Sequence, residues 1–338
     1  MAEKQQFRIC TLASHSALQI LKGAHDEGFE TIAVCERKHQ RVYESFKVAD
    51  ELLLVDSFSE LPDLDAQLKA KNAVLIPHGS LVNALEYEQI TALKLNYYGN
   101  KAVLPWEADR KKQRQWLHDA GLTLPRIYEK PEDIDGPVIV KFDGAGGGKG
   151  YFLTHTPEEF TAKIDGHADK RYIIQQYIVG APIYIHFFYS SLTGELEIMG
   201  FDKRYESNVD SVGRVAAKDQ IDLGIETSYT ITGNMPLVVR ESLLSTIFEM
   251  GEKTIEASRA IDGVGLFGPF CLETVITPEL EFYVFEISAR IVAGTNPYVN
   301  GSPYTDLRYD VPMSTGRRIA REIKYAVEQG KTERIFSK

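Results

Sequence analysis

Lys141 ends an apolar run, Val138-Ile139-Val140-Lys141, and leads within three residues into Gly144-Ala145-Gly146-Gly147-Gly148-Lys149-Gly150. Glycines at that density expose backbone N–H groups with no side chain in the way, and the two lysines add positive charge, which suits the phosphates of a nucleotide. The run is not a Walker-type loop, because no Ser or Thr follows Lys149 and a strand pattern comes next instead of a helix. A plain structural hairpin is the alternative reading.

Glu273 and Glu286 lie thirteen residues apart on two further strand patterns, each flanked by apolar neighbours. A buried carboxylate without a partner is costly, so something positive should meet them. Mg2+ combines carboxylates with phosphate oxygens, and two glutamates facing a phosphate-binding loop would form such a site. Arg290 follows Glu286 by four residues and could share the pocket. The competing reading is a buried Glu–Arg ion pair with one solvated glutamate.

Two loops at the ends of strand patterns, Ser14-His15-Ser16 and Pro77-His78-Gly79-Ser80, each lead directly into a helix pattern. Their free N–H groups and hydroxyls could converge on an anion or phosphate monoester. Ordinary helix capping explains the serines equally well, and the histidines less well. The polar, nearly uncharged run 293–304, which includes Thr295 and Asn296, fits a neutral heterocycle carrying a carboxamide, or else a packed loop. His186, Lys203, Arg204, Tyr205, Arg214 and Lys218 stay open between substrate contact and structural roles.

These residues need a scaffold that gathers them. Residues 7–13, 31–36, 50–56 and 73–79 read as strands, with helices at 17–28 and 80–93; repeated units of this length imply parallel pairing with ligands at the strands' C-terminal ends. A charged amphipathic helix over 106–120 stops at Gly121, and the Pro/Gly-rich stretch 124–137 marks a boundary, dividing the chain into 1–122 and 123–338. The glycine run sits between two strands of an antiparallel hairpin, and Thr156 should cap a helix with Pro157 as its first residue. Residues 182–207 read as an antiparallel pair turning at 192–195, and 208–236 as long loops, a candidate substrate cover. A helix over 240–261, strands at 267–277 and 281–291, and a last helix over 315–329 complete the pattern.

With 338 residues, 43% of them hydrophobic, the chain can fill more than one core in an α/β arrangement. The net charge of -10 is spread along the chain, so no basic face is available for nucleic acid. No run of 18 apolar residues is present to span a bilayer, and the N-terminus does not read as a signal peptide. Cys10, Cys35 and Cys271 lie in apolar runs and form no framework, which points to a reducing cytoplasm.

The order of lysine strand, glycine loop, apolar hinge and two acidic strand residues ending in Glu-x-x-x-Arg resembles the ATP-grasp superfamily. The resemblance implies an ATP-grasp fold, α+β overall, with residues 1–122 as a parallel-sheet preATP-grasp domain. The ATP-grasp domain would then have a small lobe over about 123–180 and a large lobe over about 181–338. It further implies that Lys141, Gly144, Gly146, Gly147, Gly148 and Lys149 meet the phosphates of ATP and that Gln175, Gln176, Tyr177 and Ile178 form the adenine hinge. Glu273 and Glu286 would hold Mg2+ or Mn2+, with Arg290 and Lys141 as catalytic residues. Ser288 stands where the superfamily often has Asn, and the hinge carries glutamines in place of acidic residues.

A closer similarity covers nearly the whole chain, through runs 13–31, 141–153, 201–220, 268–273 and above all 285–323. These are similar to the archaeal enzymes that formylate AICAR with free formate. That resemblance implies a carbon–nitrogen ligase of purine biosynthesis that converts ATP, formate and AICAR to ADP, phosphate and FAICAR through formyl phosphate. His15, Ser16, His78, Gly79 and Ser80 would hold the monophosphate and ribose, with Arg290, Thr295 and Asn296 at the rest of the substrate. It implies small-molecule partners and a homo-oligomer, trimer or hexamer. The alternatives are an ATP-grasp ligase for another carboxylate and amine, and a nucleotide-binding regulator without turnover.

Overall fold

Runs rich in β-branched and aromatic residues sort into three sheets in the computed structural model, which describes residues 7–142, 150–165, 170–225 and 227–337. The first sheet has the order Phe336–Ser337, Asn96–Tyr98, Ala73–Leu75, Arg8–Leu12, Thr31–Glu36, Glu51–Val55. All its pairings are parallel except that of Phe336–Ser337. Arg8–Leu12 and Ala73–Leu75 are neighbours, so the loops holding His15 and His78 leave the sheet side by side.

The second sheet is antiparallel, in the order Tyr229–Leu237, Leu196–Asn208, Ala181–Tyr189, Gly268–Ile276, Phe282–Ser288. The helix Leu244–Asp262 lays Ile247, Met250 and Ile255 against it, in a core where Phe187 stacks on Phe270 at 4.8 Å between centroids. The third sheet holds Ile127–Tyr128, Tyr172–Gln176, Val138–Phe142 and Tyr151–Thr154, and includes the expected hairpin around the glycine run. Thr156 caps the helix Pro157–Ile164 by accepting from the Glu159 N–H, as its sequence predicts.

The C-terminal helix Thr315–Gln329 returns to the first layer and crosses the helix Ala17–Asp26 at contact distance. A Cβ on Gly23 would stand 2.2 Å from the Arg317 nitrogen, and one on Gly316 would stand 2.4 Å from the Gln19 carbonyl oxygen. Only glycine at both positions lets the two backbones touch. The crossing brings Arg317 and Arg321 onto the Glu27 carboxylate at 2.7 Å each.

Three sequence expectations need correction. The helix expected over 80–93 is two, Gly79–Ala84 and Tyr87–Ala92, because Glu86 and Gln89 form a capping box that starts a new helix. The helix expected over 106–120 is likewise divided into Leu104–Ala108 and Arg110–Asp119, where Asp109 accepts from the Lys111 and Lys112 N–H groups. Residues 208–236 are not long loops: they form short helices Val209–Val212 and Ala217–Asp222 and most of the strand Tyr229–Leu237. That strand lies at the sheet edge, where Pro236 is tolerated because its missing N–H costs no interior ladder bond.

Candidate active site

Between the second and third sheets lies a cleft of about 310 Å³. Lys141 enters it from one wall, Gln175, Gln176, Tyr177 and Ile178 form its back, and Glu273 and Glu286 face it from the opposite wall. The sequence-predicted nucleotide residues that are described therefore converge. Gly144, Gly146, Gly147, Gly148 and Lys149 lie outside the described residues.

Lys141 and Gln175 sit on adjacent strands, with Lys141 Nζ 3.4 Å from Gln175 Oε1 and 5.7 Å from the Phe285 ring centroid. Burial lowers the Lys141 pKa, and Glu286 opposes that shift. The hinge is anchored by the Gln176 and Tyr177 N–H groups, which donate to the carbonyls of Arg126 and Pro137 at 2.8 and 2.9 Å. Gly180 then passes so close to the neighbouring strand that a Cβ there would be 2.3 Å from the Ile276 carbonyl oxygen.

Glu273 and Glu286 are direct cross-strand partners, and the register shifts immediately after Glu273. Like charges in that relation repel unless a cation joins them. Glu273 is 3% exposed, and burial pushes its carboxyl well above the usual range, against the pull of Arg204. Arg204 Nη2 reaches Glu273 Oε1 at 2.5 Å, and the guanidinium lies 3.9 Å from the Tyr184 ring centroid. Sequence reasoning left Arg204 undecided; its alternate spacing with Asp202 along an inward-facing strand was the available signal. Among the described residues no group of three metal-ligating side chains occurs. Two neighbouring carboxylates on a cleft wall still fit a hard divalent cation whose other ligands are phosphate oxygens and water.

A second cluster forms where the first sheet meets the strand carrying Glu286. The His15 and His78 rings stack at 5.5 Å, 3° from parallel. A Cβ on Gly79 would stand 2.8 Å from His15 Nε2, so the glycine makes room for the ring. His78 is fully buried; its Nε2 lies 2.8 Å from the Leu12 carbonyl oxygen, and its Nδ1 accepts from the Ser80 N–H at 3.2 Å. Because a carbonyl only accepts, Nε2 carries the proton. His78 is thus itself the helix cap, a role the sequence reading had reserved for the serines. Burial lowers its pKa to about 3, and burial together with Arg290 and Arg204 lowers that of His15 to about 4. Both rings are neutral at neutral pH.

Ser16 is buried and its Oγ lies 3.1 Å from His15 Nδ1. Thr295 and Asn296 reach the same cluster through Gln19, a residue the sequence reading missed. Gln19 Nε2 donates to Thr295 Oγ1 at 2.6 Å and Asn296 Oδ1 at 2.9 Å, and Asn296 Nδ2 donates to the His15 carbonyl at 3.0 Å. In the polar run 293–304, the hydroxyls of Tyr298 and Tyr304 are tied to the backbone of Leu237 and Val239, so this run is a packed junction. His186 is buried with Nε2 2.7 Å from Asp202 Oδ1.

N5-carboxyaminoimidazole synthetase from Staphylococcus aureus, solved with ADP, superposes with a TM-score of 0.63 at 15% identity, covering 86% of this chain and 73% of that one. The shared architecture gives the chain an ATP-grasp fold. A domain described as of unknown function (DUF1297) matches residues 159–337, and a protein family of unknown function (DUF1246) matches residues 9–128. A crystal structure of an IMP biosynthesis protein PurP from Thermococcus kodakaraensis matches with a TM-score of 0.79 and 29% identity over 97% of this chain and 100% of that one. A curated relative from Pyrococcus abyssi is 53% identical over 337 residues, 98% of each chain. The chain belongs to the family of that relative, the 5-formaminoimidazole-4-carboxamide-1-(beta)-D-ribofuranosyl 5'-monophosphate synthetases. Among the described residues no helix is long and apolar enough to cross a membrane.

Proposed function

We propose that the chain joins formate to the amine of AICAR at the expense of ATP, forming FAICAR, ADP and phosphate, and that residues 1–122 and 123–338 are its preATP-grasp and ATP-grasp domains. The observation that carries this reading is the link between the two clusters: Glu286 lines the nucleotide cleft, and Ile291, five residues on, bridges to His78, whose ring stacks on His15. Nucleotide and acceptor amine can therefore be held on either side of one short segment. The Tyr177 and Ile178 hinge would receive adenine, and Lys141 would offset charge on the phosphates. Glu273 and Glu286 would hold Mg2+ or Mn2+, which would supply positive charge against the phosphate oxygens.

In the first step a formate oxygen bonds to the γ-phosphorus and the bond to the ADP oxygen breaks, giving formyl phosphate and ADP. In the second, the AICAR amine bonds to the formyl carbon and phosphate leaves, while the amine proton passes to the departing phosphate or to water. Arg290 would hold formate and then the phosphate. Neutral His15 and Ser16 can donate to the substrate's monophosphate without adding a fixed charge. With formate carrying 18O in both oxygens, this route places one 18O in the released phosphate and one in FAICAR; phosphate free of label would exclude formyl phosphate.

A further inference from the structure

The strand Phe282–Ser288 is the outer edge of its sheet, and its outward polar groups are met by the helical connection that precedes residue 124. Val284 N–H donates to the Thr123 carbonyl at 2.9 Å, and Gln113 Nε2 donates to the Ile287 carbonyl at 3.1 Å. Just beyond the strand, Glu107 meets two further groups: Oε2 accepts from the Ala289 N–H at 3.0 Å, and Oε1 lies 3.0 Å from Arg290 Nε. Glu107 is 9% and Arg290 14% exposed, so each charge depends on the other. The Arg290 Nε–H is not aligned on a hydrogen-bond acceptor, which leaves charge as the main hold on its direction.

We propose that Glu107 is a positioning residue that aims the Arg290 guanidinium and balances its charge, so that Arg290 holds formate and releases phosphate. The inference rests on the role given to Arg290 above. A carboxylate contributed by the N-terminal half thus sets the geometry of a reacting group in the C-terminal half.

Steady-state kinetics on Glu107→Gln test this, since glutamine can keep the bond from Ala289 N–H while an uncharged NH2 replaces the carboxylate oxygen that faces Arg290. The expected result is an increase of about tenfold or more in KM for formate, with KM for ATP changed by less than about twofold. In an Arg290→Lys background the same change should add little, because the two residues act as one unit. Equal losses for every substrate, or full additivity with Arg290→Lys, would overturn the inference. Glu107→Asp, which keeps the buried charge but withdraws it by one methylene, should show the same selective change if the glutamine variant fails to fold; an unchanged KM for formate would count against the proposal. Wild-type protein that releases no ADP with formate and AICAR would instead sink the functional reading, and this inference with it.

Discussion

Glu273 and Glu286 stand opposite each other on adjacent antiparallel strands, yet the Arg204 guanidinium is bonded to Glu273, the more buried of the two. Both carboxylates line the cleft, but only Glu273 is also held by the protein's own cation, so it carries a stability role that Glu286 does not.

That division separates two variants. Glu286→Gln should abolish Mg2+-dependent turnover with little change in thermal stability. Glu273→Gln should also abolish turnover but lower stability by roughly 2–4 kcal/mol, because Arg204 is left partly buried without its anion. Parallel thermal melts and ADP-release assays check this, and near-normal turnover in Glu286→Gln would remove the metal assignment.

The crossing of Gly23 and Gly316 predicts a purely steric effect. Gly316→Ala should cost about 1–3 kcal/mol or more, since its methyl would overlap the Gln19 carbonyl. Urea unfolding measures the loss. Gln19 also carries the bonds to Thr295 and Asn296, so KM for AICAR should rise in whatever fraction folds.

The stacked histidines give stability a pH dependence with a definite sign. Folding lowers the His15 and His78 pKa values to about 4 and about 3, so the unfolded chain binds more protons once pH falls below about 6.5. Their contribution is intact above that pH and declines as pH drops toward about 3. His15→Asn, which tolerates the left-handed backbone at φ 55°, should lose less stability than wild type between pH 6.5 and 4. Chemical denaturation at the two pH values compares them, and parallel curves would contradict the assignment.

Much of this was legible in the sequence because it is local. Thr31–Glu36 and Thr315–Gln329 follow from periodicity and their flanking residues, and the hairpin around the glycine run follows from the two strand patterns beside it. The pairing of Glu273 with Glu286 needed only two adjacent strands. What escaped depends on distant contacts. Nothing near Gln19 announces that a helix 297 residues away in the chain will press it onto Thr295, and Glu107 looks like an ordinary surface acid of an amphipathic helix until the edge strand is laid against it. The strand Tyr229–Leu237 was missed because its Gly, Asn and Pro weaken the local signal, while pairing with Leu196–Asn208 supplies the stability.

The account turns on one reaction in which ATP, formate and AICAR are consumed together. ADP release measured by a coupled assay, with Mg2+ and ATP present and formate and AICAR added singly and jointly, tests it most directly. Rapid release only when both are present, with acetate and bicarbonate unable to replace formate, is the predicted result. Release that is indifferent to AICAR, or equal with another carboxylate, would contradict it.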